Sequence, residues 1–151
     1  MVYALSNLTA FTVLTIAGRE LQSDRIESYR GLAKRSPFLA GSLFVALLSL
    51  AGVPPLGGFF GKFLILLAAV QNGIPLIALI GLLGVVVSLY YYLSVVKVMY
   101  FEEPREEGKI PVRYSVKILL IVLLAGIFAT GLWQAPLFSL ARSAVQSLFH
   151  F

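Results

Sequence analysis

The residue with the most chemistry within reach is Lys62. It closes the stretch "GVPPLGGFFGK" (Gly52 to Lys62), which lies between "FLAGSLFVALLSLA" and "FLILLAAV" in the longest apolar run of the chain. Pro54 and Pro55 each remove a backbone donor and clash with the preceding turn, while Gly52, Gly57, Gly58 and Gly61 let the backbone unwind and approach other segments closely. In hydrocarbon an orphaned amide or carbonyl costs several kcal/mol, so such a break persists only where it is buried in protein or lines a wet cavity. The groups left over are carbonyls near Ala51 and Gly52 and amides near Gly57. Helical side chains lean toward the N-terminus, so the Lys62 amine is aimed back at the break. Snorkelling to the interface near Asn72 would require ~15 Å along a helix, and a lysine stem reaches roughly 6 Å.

An amine so placed has two uses. It can act as a structural partner for the orphan carbonyls of a packing kink, or it can bind and release a proton. Burial penalises the ammonium form, and so does the nearby helix N-terminus. Perturbations documented for buried lysines amount to ~4 kcal/mol, and moving one charge through roughly 150 mV costs ~3.5 kcal/mol. The two are similar in size, so a modest electrostatic or conformational push can switch the protonation state. An ionisable group beside a mid-membrane break is a transport-site hypothesis by default, and the catalytic assignment is Lys62 as proton relay.

Other groups offer less. Lys97 and Lys117 lie near span ends and suit snorkelling; Lys97, with Tyr91 and Ser88, is kept as a candidate water-path residue. Tyr90, Tyr91 and Tyr92 suit core packing or an interfacial belt as well as a relay hydroxyl. Ser49 and Ser88 are expected to bond their own helix backbone. Asn7 can bridge helices or face water, and Glu102, Glu103, Glu106 and Glu107 read as solvated loop charge. No metal constellation, nucleophile triad or phosphate loop is present. The chain has no cysteine, and its single histidine is His150. This excludes disulfides, thiol chemistry and cysteine-ligated iron–sulfur centres.

The elements that position Lys62 are apolar helices. The chain is 59% hydrophobic and 13% charged, against about half and a quarter in soluble domains. A soluble core of this size has no room for its four long apolar stretches, so the fold class is an all-α integral membrane protein. Residues 1–18 form the first span; they lack the basic start and small-residue cleavage site of a leader. A polar segment, 19–37, follows, in which Ile26, Tyr29, Leu32 and Ala33 recur at helical spacing and suggest a short amphipathic turn at the surface. Ser36-Pro37 reads as a helix start. The run 38–72 is broken near 52–58, and Asn72-Gly73-Ile74-Pro75 closes one helix and opens the next. Spans at 76–101 and 115–133 flank a charged loop at 102–114. A short tail begins at Gln134.

The 35 residues of the long run would make a straight helix of ~50 Å, against a hydrocarbon core of ~30 Å. Two spans of ~24 Å each would be short. Charge decides for one interrupted crossing. With one crossing, both basic loops share a side: Arg19, Arg25, Arg30, Lys34 and Arg35 in the first, and Lys97, Arg105, Lys109, Arg113 and Lys117 in or beside the second. The other side then carries only Arg142. This is a cytoplasmic-loop pattern, and it accounts for the formal charge of +5 without a nucleic-acid partner. All four spans form one transmembrane region.

"LLSLAGVPPLGGFFGKF" (Leu47 to Phe63) resembles the hallmark of the antiporter-like subunit N family of respiratory complex I, which includes mitochondrial subunit 2 and its plastid and cyanobacterial counterparts. "NLTAF" (Asn7 to Phe11) is similar to the family's "NLGAF", with Thr9 in place of glycine. "DRIESYRGLAKRSPFLA" (Asp24 to Ala40) is similar to its D-x-I-x-D-Y-x-G-L-x-x-R-x-P-x-L-A, with Ser28 in place of an acid. "SLYYYLSVVKVMYF" (Ser88 to Phe101) matches in style. The resemblance implies a 14-span fold of two inverted five-helix repeats, each with one broken helix, of which this chain would be the last four spans. It implies that Lys62 is the lysine of the second broken helix, in a central row of ionisable residues, and that the first repeat with its glutamate–lysine pair is absent here.

The implied function is proton translocation driven by electron transfer from NADH, or a related donor, to quinone, within a multisubunit oxidoreductase. This chain would hold no redox centre or cofactor of its own. NADH, flavin, iron–sulfur clusters and quinone would belong to other subunits. The implied partners are other membrane-arm subunits, lipid and protons, and the implied place is an energy-transducing membrane such as the bacterial plasma membrane. Two alternatives stand beside this: an antiporter-like subunit of a cation/proton antiporter or membrane-bound hydrogenase, and a structural membrane scaffold without a transport role. Single cysteines introduced as Ser23→Cys and Lys109→Cys should react with an impermeant thiol reagent from the same face of the membrane; reaction from opposite faces would remove the single crossing.

Overall fold

Proline and glycine set most of the helix boundaries in the computed structural model, which describes residues 2–23, 25–104 and 108–132. Helix α1 covers Val2–Leu21; a 3-10 turn (Ile26–Tyr29) and a single α-turn, α2 (Leu32–Arg35), lead into α3 (Pro37–Ala51). Then come α4 (Gly57–Gln71), α5 (Pro75–Phe101) and α6 (Tyr114–Leu132). The described chain is all-helical. Pro37 and Pro75 open α3 and α5 in their first turns, where a missing N–H costs nothing. Ser36 precedes Pro37 without a side-chain cap bond. Helix α1 runs three residues past Gly18, through Arg19 and Glu20, both good helix formers, and ends where Gln22 takes φ 50°. Readings that fall on Asp24, Arg105, Glu106, Glu107, Trp133, the tail from Gln134, Arg142 and His150 lie outside the described residues.

Among the described residues, two helices, α5 and α6, are long and apolar enough to cross a membrane. At 15 residues each, α3 and α4 are ~22 Å long, too short to cross the ~30 Å hydrocarbon alone. The core lies where α1, α3, α5 and α6 meet. Val13, Ala17, Leu39, Ala46, Met99, Leu120 and Ile127 are all fully buried. The outer faces of α4 and α5 are the reverse. Ile65, Val70, Leu76, Ile80, Val86 and Val87 are exposed large apolar side chains.

The segment between α1 and α3 differs from the surface turn expected of it. Tyr29 and Leu32 are buried, and the Tyr29 hydroxyl donates to Leu14 O at 3.3 Å. Gly31, at φ 63°, reverses the chain between the two short turns and tucks them under the bundle instead of along its surface. Its amide donates to Val98 O at 3.2 Å, and an added Cβ would lie 2.6 Å from the Pro104 nitrogen.

Here the two charged segments meet. Arg30 pairs with Glu102 at 2.6 Å and Lys34 with Glu103 at 2.7 Å. The backbone joins in through Arg35 Nε to Gly108 O at 3.0 Å and Ile110 N to Arg35 O at 3.2 Å. Glu102 and Glu103 are therefore partners of the first segment's cations and not merely solvated charge. With Lys34 and Glu103 side chains 57% and 81% exposed, that pair contributes little stability. The close seat of Gly31 matters more. Gly31→Ala should destabilise the folded subunit by about 1–3 kcal/mol, as a strained left-handed residue does, read as a shifted midpoint of detergent-induced unfolding.

Candidate functional site

The site is built around the end of α3. An α-helix leaves its last four carbonyls without intrahelical partners, and here each of the four has one. Gly52, at φ 86°, turns the chain so that its amide bonds Leu48 O and Ser49 O, both at 3.1 Å, while Val53 N bonds Leu48 O at 3.0 Å. This is the left-handed closure that glycine favours. The next two carbonyls are taken by the lysine from the following helix: Lys62 Nζ donates to Leu50 O at 2.7 Å and to Ala51 O at 3.2 Å.

Between the two helices Pro54 and Pro55, joined by a cis peptide bond, contribute no amides. Leu56 N returns to Val53 O at 3.0 Å and Phe59 N to Leu56 O at 3.2 Å. Three glycines let neighbours close on this backbone. A Cβ on Gly58 would run into the carbonyl of Ser49, and one on Gly131 of α6 into the carbonyl of Pro55. A Cβ on Gly57 would lie 2.7 Å from both Thr130 Oγ1 and Val2 Cγ1. Helices α1, α3 and α6 thus pack closely on the break at Leu56 and Gly57, which are buried, while Pro54 and Pro55 stay exposed.

Electrostatically Lys62 stands between opposing helix ends. The C-terminus of α3 favours positive charge and the N-terminus of α4 disfavours it. Its side chain also borders two clefts. One, of about 370 Å³, lies between α4 and α5 and includes Leu66, Gly81, Gly84 and Ser88. The other, of about 400 Å³, lies between α1, α3 and α4 and includes Ser6, Ser49, Gly57, Gly58 and Gly61. With ~30 Å³ per water molecule, each has room for about a dozen.

The structure thus gathers Lys62, Gly52, Pro54, Pro55, Gly57, Gly58 and Gly61 at one place. Ser88 borders the cleft shared with Lys62, although its hydroxyl donates to Gly84 O of its own helix at 2.8 Å. Tyr91 and Lys97 border neither cleft. Both are exposed, and Tyr91 packs edge-to-face on Tyr90. Asn7 bonds its own helix at Tyr3 O, 2.9 Å. Ser49 departs from the expected bond to its own helix: it accepts a hydrogen bond of 2.8 Å from Ser6 Oγ, across 43 residues of sequence. Ser6, Thr130 and Gly131 were not singled out by sequence. Small or hydroxylic residues inside apolar helices were their only signal.

A family model described as "NADH:quinone oxidoreductase/Mrp antiporter, TM" matches residues 1–88. NADH-quinone oxidoreductase subunit N of Desulfitobacterium hafniense is 40% identical over 148 residues, covering 98% of this chain and 30% of that protein. The subunit N of Paramagnetospirillum magneticum is 41% identical over 149 residues, covering 98% and 31%. NAD(P)H-quinone oxidoreductase subunit 2 of Nostoc punctiforme is 35% identical, covering 97% and 30%. Among solved structures, respiratory complex I from Thermus thermophilus with bound aureothin superposes with a TM-score of 0.69 at 30% identity, covering 89% of this chain and 32% of that one. The chain therefore spans about 30% of the length of the curated relatives it matches.

The glycine contacts separate two neighbouring positions. Gly58→Ala meets the Ser49 carbonyl and should cost about 1–3 kcal/mol, as overpacking does. Gly61→Ala meets nothing within 4 Å and should be neutral or stabilising, since alanine is the better helix former by about 1 kcal/mol. Unfolding midpoints of the two variants in mixed micelles check this ordering.

Proposed function

Because the chain belongs to the NADH:quinone oxidoreductase/Mrp antiporter transmembrane family, we propose that it is part of a proton-translocating membrane-arm subunit of an NADH:quinone oxidoreductase, with Lys62 as its proton relay. The observation that carries this reading is the ammonium seat at the break, where Lys62 Nζ lies 2.7 Å from Leu50 O. The relatives named as NADH-quinone oxidoreductase subunit N, and the likeness to a chain of respiratory complex I, support the same assignment. On this reading the chain supplies four spans of a larger 14-helix fold. They are approximately 1–18, 38–72 broken near 52–58, 76–101 and 115–133, with α3 and α4 as the two halves of one crossing. Segments 19–37 and 102–114 are its cytoplasmic loops, and the Arg30–Glu102 and Lys34–Glu103 pairs favour that placement by joining them at one end. NADH, flavin, iron–sulfur clusters and quinone belong to partner subunits, and this chain carries no redox centre.

The chemistry of the relay follows from the geometry. Protonated, Lys62 is held by two carbonyls at the negative end of α3. When its proton leaves, the neutral amine loses most of its attraction to them. Charges on neighbouring subunits need shift that balance by only a few kcal/mol to load or unload it. The clefts on either side give the proton two separate exits.

The family also includes Mrp antiporters, so a cation/proton antiporter subunit is the second reading; NADH-driven pumping in vesicles, against cation-driven pumping, separates them. In the assembled full-length complex, Lys62→Ala should lower proton pumping per NADH by roughly a hundredfold, the lower end of what a positioned proton-transfer group contributes. Lys62→Arg, which keeps the charge but cannot release a proton, should assemble and fail to pump. Normal coupled pumping by Lys62→Ala would take the lysine out of the mechanism. Loss of assembly with unchanged pumping per assembled complex would favour a scaffold.

A further inference from the structure

Five hydroxyl groups in the described helices share one arrangement, and a pair of buried serines departs from it. Thr9, Ser42, Ser88, Ser94 and Thr130 each donate to the carbonyl four residues back in their own helix, at 2.8 Å. This is the usual way a hydroxyl is satisfied inside an apolar helix. Ser6 and Ser49 turn away from their own backbones and bond each other, Oγ to Oγ, at 2.8 Å. Two hydroxyls bring two protons to such a pair, and the bond between them uses one. Among the described residues no acceptor takes the other, although both serines are 1% exposed. The pair also borders the cleft of about 400 Å³ that Lys62 borders.

We propose that Ser6 and Ser49 are a water-anchoring pair through which Lys62 exchanges its proton with the cleft between α1, α3 and α4. The proposal rests on the reading of Lys62 as a relay. Ser49 directly precedes Leu50, whose carbonyl holds the ammonium, so one member of the pair and the amine's acceptor are consecutive residues at the end of α3. Lys62 has three N–H donors; Leu50 O and Ala51 O take two, and among the described residues none takes the third. Apart from Tyr3, the rest of the cleft is walled by apolar side chains and glycine. It is therefore polar at two places and roomy between them, the condition under which buried water is held.

The step balances simply. An N–H bond of the Lys62 ammonium breaks and its electron pair stays on Nζ. The proton forms an O–H bond on a cleft water, which passes the excess proton along the water chain. The serines do not ionise. Because the bond between them can point either way, the pair can donate to that water or accept from it, and so serves loading and unloading alike. They are positioning residues, acting on Lys62 through water.

The test uses the complete subunit in its assembled complex. Ser49→Cys should be modified by a small water-borne methanethiosulfonate far faster than Ser42→Cys, an equally buried position whose native hydroxyl bonds its own helix. The readout is mass spectrometry of the peptide. Ser6→Ala and Ser49→Ala singly each leave one hydroxyl at the site and should keep pumping per electron within about twofold, whereas the double variant should lose roughly tenfold, the non-additivity expected of groups acting as a unit. Packing alone would give additive losses. Equal labelling of the two cysteine variants would overturn the hydrated cleft. Undiminished pumping by the double alanine variant, beside a Lys62→Ala variant that does not pump, would overturn the serine pair alone. Normal pumping by Lys62→Ala would overturn the relay and the pair's role with it, while the labelling result would still report water in the cleft.

Discussion

Carbonyls at the end of a helix inside hydrocarbon must have partners, and the rest of this structure depends on how that demand is met at Ala51. Four carbonyls face the problem, and the chain supplies two solutions in one place. Glycine at 52 closes the first two with backbone amides. The side chain of Lys62, carried by the next helix, closes the others. A lysine used in this way is a structural cap for the break, and on the proposed reading it also carries the proton. Its charge is tolerated because it meets the carbonyls, and those carbonyls are tolerated because it is there. A change in its protonation is therefore also a change in how well the break is satisfied, which links chemistry to conformation at a single nitrogen.

The surrounding helices are shaped by that requirement. The backbone of the break must be covered, and the covering residues are small where they touch it: Gly58 against the end of α3 and Gly131 against Pro55. Coverage is incomplete by design of the packing, because glycines at 61, 81 and 84 and serines at 6, 49 and 88 leave the two clefts open beside Lys62. Large side chains at these positions would fill the clefts and bury the amine. The close seat at the break and the clefts at its flanks both follow from the same choice of residues without bulk.

At the far end of α3 the physics is different. There the segments are polar and the contacts are charge pairs and backbone bonds between the segment leading into α3 and the residues at and beyond the end of α5. Individually the exposed pairs are weak. Their effect is geometric: together with Gly31 seated on Pro104 they tie the N-terminal end of α3 to the C-terminal end of α5, and so hold steady the helix whose other end carries the site.

What the sequence by itself determined is local. Proline removes a donor and glycine permits a left-handed turn wherever they occur, so the ends of α3 and α4, the start of α5 and the direction of the Lys62 side chain could be read from Pro37, Gly52, Gly57, Gly73 and Pro75. Membrane character could be read from apolar length, since a chain of this size has no core in which to hide it. The tertiary structure decided which distant groups meet. Ser6 finds Ser49, Gly131 finds Pro55, Glu102 and Glu103 find Arg30 and Lys34, and Tyr29 and Leu32 turn inward where a surface turn was expected. None of these is a property of a residue or its neighbours. Each depends on the relative placement of helices far apart in the chain, and a serine or glycine in an apolar helix has the same local pattern whether it faces lipid, a cleft or another backbone.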